Sequence, residues 1–367
     1  MANMNNEYSD RMNRFGQMLY EMLINKDVNH VFSPYSIHAA LSMTSSGTAG
    51  KTCEEMLHVL QAVDFQDDVH EVHKRLLNVL QLEGQYVKMK IANSIWGKDG
   101  VSFCDGFVEG VSQYYEAKLD ILTKVKKVNH WIKEETEGYI DHIIDHLDED
   151  ILLLLLNIVY FKGKWSYPFE PYMTANKLFI SVDGEESYVP FMGKTELIPY
   201  LKSDEYESVS LSYGDGQYEM DLLLPTKGIE LKTVIEKLSK GALHWLVPHE
   251  KEYISLFIPK FNICTEWVLN EPLKKLGMKA AFHSEEADLS KMVAGATHLF
   301  MNEVKHISYI EINEEGIEAA AATSIGVRGE SMPIDEKSLQ FNRPFLFRVR
   351  HKLTGVNIFQ GHVVKLD

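Results

Sequence analysis

An α+β fold with large, mainly antiparallel sheets is the class that the sequence predicts, on three observations. Helical periodicities crowd the first part of the chain and β-rich runs the second. The regular strand–helix alternation of a parallel α/β sheet is missing, and apolar runs separated by short turn signals continue from Phe15 to Val364. The 367 residues would allow two domains at about 150 residues each, but no Pro/Ser/Gly-rich linker, composition break or repeat divides them. The expectation is a single domain over residues 1–367.

From Asp10 to Asn25, the apolar residues Phe15, Met18, Leu19, Met22 and Leu23 recur at three- and four-residue spacing, the stripe of an amphipathic helix. In FSPYSIHAALSM, Ser33 offers a hydroxyl to the free N–H groups of a helix start, and Pro34 stands where a missing N–H costs nothing. A second helix therefore begins there, and NHWIKEETEGYI reads as a further one. YVKMKIANSIW, ILLLLLNIVYF, YEMDLLLP, EYISLFIPKF, ISYIEI and PFLFRVRH are β-rich and bounded by Gly, Pro or Asn. ILLLLLNIVYF, Ile151 to Phe161, is too short for a membrane span of about 20 residues and reads as a strand buried on both faces.

Charge and motifs exclude several functions. The 53 acidic residues outnumber the 37 basic ones, a net −16, which argues against binding nucleic acid or an anionic membrane. Lys124, Lys126 and Lys127 form the one basic cluster and alternate largely as the solvent face of a strand would. Cys53, Cys104 and Cys264 have no metal spacing and cannot all pair, so no disulfide framework is expected. The polar start MANMNNEYSDRMNRF has no apolar signal core; a cytoplasmic protein, or one released without a cleavable signal, is expected, with secretion open if a signal has been removed.

SSGTAGKT ends like a phosphate-binding loop, but Ser45 occupies the place of its leading glycine and the segment follows a helix, so it reads as a helix-to-helix turn. His142 and His146 would share a helix face, yet Ile143 stands where a zinc protease has its glutamate. With no HExxH, CxxC or G-x-S-x-G, the expectation is a protein that is not an enzyme and holds no metal or cofactor.

The stretch EEGIEAAAATSIGVRGES, Glu314 to Ser331, has an unusual pattern. At a period of two, one face carries Ile317, Ala319, Ala321, Thr323, Ile325 and Val327, all small or β-branched; the other carries Glu318, Ala320, Ala322, Ser324, Gly326 and Arg328. Such a strand could slide into a packed layer without overfilling it. Gly316, Gly326 and Gly329 make it a poor permanent strand, and a helix or loop stays open because Ala and Glu favour helix.

VFSPYSIHAALSM with SGTAGKT, IANSIW, NHWIKEETEGYI, LLLNIVYFKGKWSYPF, DLLLP, IPKF, LKKLGMKAAF, EINEEGIEAAAATS, FNRPFLFRV and GHVVKL follow one another over nearly the whole chain. This ordered set resembles the serpins, the serine protease inhibitor family. The resemblance implies three β-sheets, about eight or nine helices and an exposed reactive-centre loop at about 314–335. It implies a suicide-substrate inhibitor that forms a covalent 1:1 complex with a serine protease: the loop is cut, its hinge enters the large sheet as a strand, and the acyl-enzyme is trapped. The hinge would comprise Glu314, Glu315, Gly316, Ile317, Glu318, Ala319, Ala320, Ala321, Ala322 and Thr323. Sheet opening would be controlled by Ser33, Ser36, Asn157 and His306, with Trp165 near the top.

Counting forward from Gly316 places the reactive bond at Glu330–Ser331; counting back from Phe341 reaches Pro333, so the loop is longer than usual in the family. Arg328–Gly329 is the rival bond, suited to a trypsin-like pocket. Ile317 departs from the family, which has Thr, Ser or another small residue there. The alternative function is a non-inhibitory serpin acting as chaperone, carrier or storage protein. DFQDDVHEVHKRLLNVL is too acidic and mixed for a heparin-type polyanion.

Overall fold

The computed structural model describes residues 2–24, 27–65, 69–80, 86–140, 144, 151–295, 298–315 and 337–367. Eight α-helices occur among them: α1 (Ala2–Leu23), α2 (Pro34–Ser45), α3 (Gly50–Val59), α4 (Val69–Leu80), α5 (Asp105–Tyr115), α6 (Val125–Glu135), α7 (Leu231–Ser239) and α8 (Asn270–Leu276). The start of α2 is set as the sequence requires: the Ser33 hydroxyl accepts from the Ser36 N–H and Pro34 opens the first turn. Every residue from Pro34 to Ser45 is buried. α1 lies against the start of α2 so closely that a Cβ on Gly16 would meet Pro34 Cβ at 2.5 Å, so only glycine fits there. SGTAGKT is a helix-to-helix turn, leaving α2 and opening α3 at Gly50.

The strands are β1 (His30–Phe32), β2 (Val87–Lys98), β3 (Lys118–Leu122), β4 (Leu153–Gly163), β5 (Ala175–Ile180), β6 (Glu186–Lys202), β7 (Tyr206–Tyr213), β8 (Tyr218–Pro225), β9 (Lys251–Pro259), β10 (Phe261–Val268), β11 (Glu303–Ile312), β12 (Lys337–Gln340), β13 (Phe345–His351) and β14 (Asn357–Val363). One sheet has the order β10-β11-β4-β2-β3. The other strands follow the path β1-β14-β13-β8-β7-β6-β9-β12, with β5 on β6. The long strand β6 divides this path: Phe191 to Pro199 pair with β9, whereas Tyr200 to Lys202 pair with β7. Two layers thus share one strand, which with the first sheet gives the expected three.

β4 is buried on both faces, as its unbroken apolar run predicts. Leu153, Leu155, Val159 and Phe161 face the main core, and Leu154, Leu156 and Ile158 face a second cluster closed by Val128, Trp131 and Ile132 of α6. The inner face also carries Asn157, a polar break in the apolar run.

One sequence reading is corrected. Lys124, Lys126 and Lys127 belong to a helix start, not a strand: Lys124 is the N-cap residue of α6, and Val128, Trp131 and Ile132 at helical spacing bury its other face. EYISLFIPKF is a strand as expected: Glu252 to Pro259 lie in β9, the chain breaks at Lys260, and Phe261 opens β10 in a different sheet.

Candidate functional site

β11 and β4 run parallel side by side, from Glu303 opposite Leu154 to Tyr309 opposite Tyr160. Parallel neighbours need a long crossover connection, and here β11 is followed after Asn313 by Glu314 and Glu315, the first residues of the alanine-rich segment. The seam between these two strands is where a strand entering from the end of β11 would lie antiparallel to both.

Ser33, Ser36, Asn157 and His306, expected together, meet on the core side of this seam, all fully buried or nearly so. In strand register, His306 of β11 stands opposite Asn157 of β4, which stands opposite Asn93 of β2. The Ser33 N–H donates to His306 Nε2 at 3.0 Å. That leaves Nδ1 to carry the proton and donate to Asn157 Oδ1 at 2.6 Å. The Asn157 amide spends its two hydrogens on Ser36 Oγ, 2.5 Å, and Asn93 Oδ1, 2.6 Å. Ser36 in turn donates its backbone N–H to Ser33 Oγ at 3.2 Å. The network joins α2 to three adjacent strands and works only with a neutral imidazole. Burial lowers the pKa of His306 from 6.5 to about 3, which keeps it neutral. Asn93 was not singled out from the sequence; its signal was a polar residue at a buried position of IANSIW, legible only once its strand is set beside β4.

Trp165 closes the upper end of the seam. Its indole stacks on Tyr213, with ring centroids 4.2 Å apart and planes 14° from parallel. Its Nε1–H donates to the Asn313 carbonyl at 2.8 Å, and its backbone N–H to the Glu315 carbonyl at 3.0 Å. The Phe169 N–H donates to the Glu314 carbonyl at 2.8 Å. Glu314 itself pairs with Lys260 at 2.8 Å and accepts from the Thr174 hydroxyl at 2.8 Å. Burial raises the Glu314 carboxyl, but the Lys260 ammonium, with the Thr174 hydroxyl, more than offsets this and the net shift is downward. Lys260, Thr174, Phe169 and Tyr213 carried no sequence signal for this role, since three separate segments supply them.

Gly316, Ile317, Glu318, Ala319, Ala320, Ala321, Ala322 and Thr323 of the expected hinge, and both candidate bonds, Glu330–Ser331 and Arg328–Gly329, lie outside the described residues, as do His142 and His146. Cys53, Cys104 and Cys264 are all free thiols.

The family model described as "Serpin (serine protease inhibitor)" matches residues 10–366. The chain belongs to the serpin family. The chain is 30% identical over 369 residues to Serpin B9 of Homo sapiens, covering 96% of this chain and 98% of that protein. Leukocyte elastase inhibitor A of Mus musculus is 31% identical over 357 residues, covering 91% of this chain and 92% of that one. Among solved structures, the native state of the thermophilic serpin tengpin superposes with a TM-score of 0.88 at 26% identity, covering 98% and 94% of the two chains. Among the described residues the large sheet has five strands, β4 and β11 pair directly, and the seam is closed.

Proposed function

We propose that this serpin inhibits serine proteases as a suicide substrate. The observation that carries the reading is the closed parallel β4–β11 seam, bound at its upper end by Glu314 and Glu315, which lead straight into a small-residue segment of strand periodicity. A protease attacks the loop through its serine hydroxyl; the bond to the following nitrogen breaks, the new amine leaves with the C-terminal piece, and the serine is left esterified to the loop. The freed hinge enters the seam and replaces one parallel pairing with two antiparallel ones, gaining ladder hydrogen bonds and burying the Ala319–Ala321 face. Loop insertion in serpins is an established instance of strand addition releasing stored strain. The closed form is held kinetically, so the groups closing the seam set the rate at which the acyl-enzyme is trapped.

The reading places the reactive bond at Glu330–Ser331, with Arg328–Gly329 the rival, and gives a covalent 1:1 complex. Ile317 is apolar and β-branched and suits a buried strand position. It is bulkier than the small residue usual in the family, which favours the carrier or chaperone reading to the extent that it slows insertion. Incubation with trypsin-like, chymotrypsin-like, elastase-like and glutamate-specific proteases, followed by denaturing gels and mass spectrometry of the released peptide, tests both. A covalent band with a peptide beginning at Ser331 or Gly329 supports trapping and identifies the bond. Cleavage by every protease with none retained moves the carrier or chaperone reading ahead.

A further inference from the structure

The side of the seam away from the main core, which α6 covers, carries a second closure, made of three tyrosines. Tyr160 of β4 and Tyr309 of β11 stand directly opposite each other in the strand register. Tyr139, in the segment after α6, lies over both: its ring centroid is 5.4 Å from that of Tyr160, with planes 23° apart, and 5.6 Å from that of Tyr309, with planes 30° apart. Lys162 Nζ donates to the Tyr139 hydroxyl at 3.4 Å. The Tyr160 hydroxyl donates to Glu137, two residues before Tyr139, at 3.2 Å, and the Tyr309 hydroxyl donates to Glu311 at 3.0 Å. One step down the seam, Ile158 and Ile307 are likewise paired in register and lie in one buried cluster with Ile140.

Neighbouring strands lie about 4.8 Å apart, so inserting one between β4 and β11 moves Tyr160 and Tyr309 to about twice that separation. One ring cannot then stay stacked on both. Tyr139 is 38% exposed, so its position rests on these ring contacts more than on enclosure by the core.

Resting on the inhibitory reading above, we propose that Tyr139 sets the rate of seam opening, and with it the partition between trapped and released protease, by stacking across Tyr160 and Tyr309. It acts through those two rings and touches no reacting atom, so it is a positioning residue. Its loss lowers the barrier to insertion by the worth of one aromatic contact.

The test uses the full chain and a labelled synthetic peptide, GIEAAAATSIGVR, with the sequence of residues 316–328. Peptide uptake is followed by co-elution, and the number of inhibitor molecules consumed per trapped protease is measured in parallel. Tyr139→Ala is expected to take up the peptide about two- to tenfold faster than the parent and to trap protease with less inhibitor consumed. Tyr309→Val removes the other side of the contact with a residue suited to a strand and should accelerate uptake comparably. Tyr139→Phe keeps the ring and should behave as the parent does.

Equal uptake rates in the parent, Tyr139→Ala and Tyr309→Val overturn the proposal and leave the inhibitory reading standing. Acceleration in Tyr139→Phe matching that in Tyr139→Ala also overturns it, since the hydroxyl contact to Lys162 would then be responsible. If neither the parent nor Tyr139→Ala takes up peptide or retains any protease, the inhibitory reading itself fails and the proposal with it.

Discussion

The two faces of the β4–β11 seam are closed by opposite chemistry. On the core side, Asn157 and His306 are bound into a network whose members have no water to turn to. On the side away from the main core, Tyr139 covers Tyr160 and Tyr309 through ring contacts that are weak and adjustable. A buried polar lock is close to all-or-none, because breaking one bond strands a donor or an acceptor in the core. An aromatic cover loses energy gradually as the strands part. Under the proposed function, the inner face would decide whether the sheet is shut, and the outer face would tune how fast it opens.

The difference can be tested most severely at Asn157. Asn157→Ala leaves the His306 Nδ1–H, Asn93 Oδ1 and Ser36 Oγ without their partner. We expect a loss of about 2–5 kcal/mol by denaturant unfolding, from more than one stranded group at about 1–3 kcal/mol each. A loss no larger than that of an exposed substitution would show that the inner lock is not cooperative.

The upper end of the seam gives the next largest effect. Glu314→Lys sets two ammonium groups against each other where one ion pair now joins the end of β11 to Lys260. The variant should lose about 1–3 kcal/mol and open its seam more readily, forming soluble oligomers on mild heating. Adding Lys260→Glu restores the pair with its charges exchanged, and light scattering should then return towards the parent behaviour. Failure of the exchange to restore it would separate the charge pair from the backbone contacts around it.

Acid acts on the inner face through His306. The unfolded imidazole titrates near 6.5 and that of His306 near 3, so the unfolded state binds the extra proton throughout the interval between. The stability contributed by the neutral ring is complete above about 6.5 and falls by on the order of 1 kcal/mol per pH unit below it. His30, His38 and His73 are lowered in the same sense by burial and add to the slope. His306→Gln should therefore remove one proton's share of the acid slope, read from unfolding curves at several pH values, and leave the remainder.

Trp165→Phe is expected to have the smallest effect. It keeps a ring against Tyr213 and gives up the 2.8 Å donation to Asn313, for a loss of about 1 kcal/mol. Faster peptide uptake without a larger loss of stability would mark the indole N–H as part of the upper closure.

Much of this architecture was legible in local pattern. The Ser33–Pro34 start of α2 follows from capping chemistry that a few adjacent residues decide. The double burial of β4 follows from an unbroken apolar run, and its partner helix from NHWIKEETEGYI. The lysines at the start of α6 misled because period-two alternation over a few residues also fits a helix start, and only the buried Val128 and Trp131 distinguish the two. EYISLFIPKF reads correctly as a strand, but nothing in it says that the chain changes sheet after Lys260. Ser33, Ser36, Asn157, His306 and Trp165 were reached through the family resemblance, since a lone buried Asn or His has no local signature of partnership.

What the sequence by itself determined is periodicity and local chemistry: where helices begin, which strands are buried, and that the segment after Asn313 is rich in small residues that alternate at a period of two. Only the tertiary structure decided which strands are neighbours, and with them the register that sets His306, Asn157 and Asn93 in one row and Tyr309 beside Tyr160. Periodicity is fixed by backbone geometry within a few residues, whereas register is a choice among pairings of distant segments. That choice is made by the whole core at once, because a one-residue slip would turn the polar row outward and the tyrosines inward.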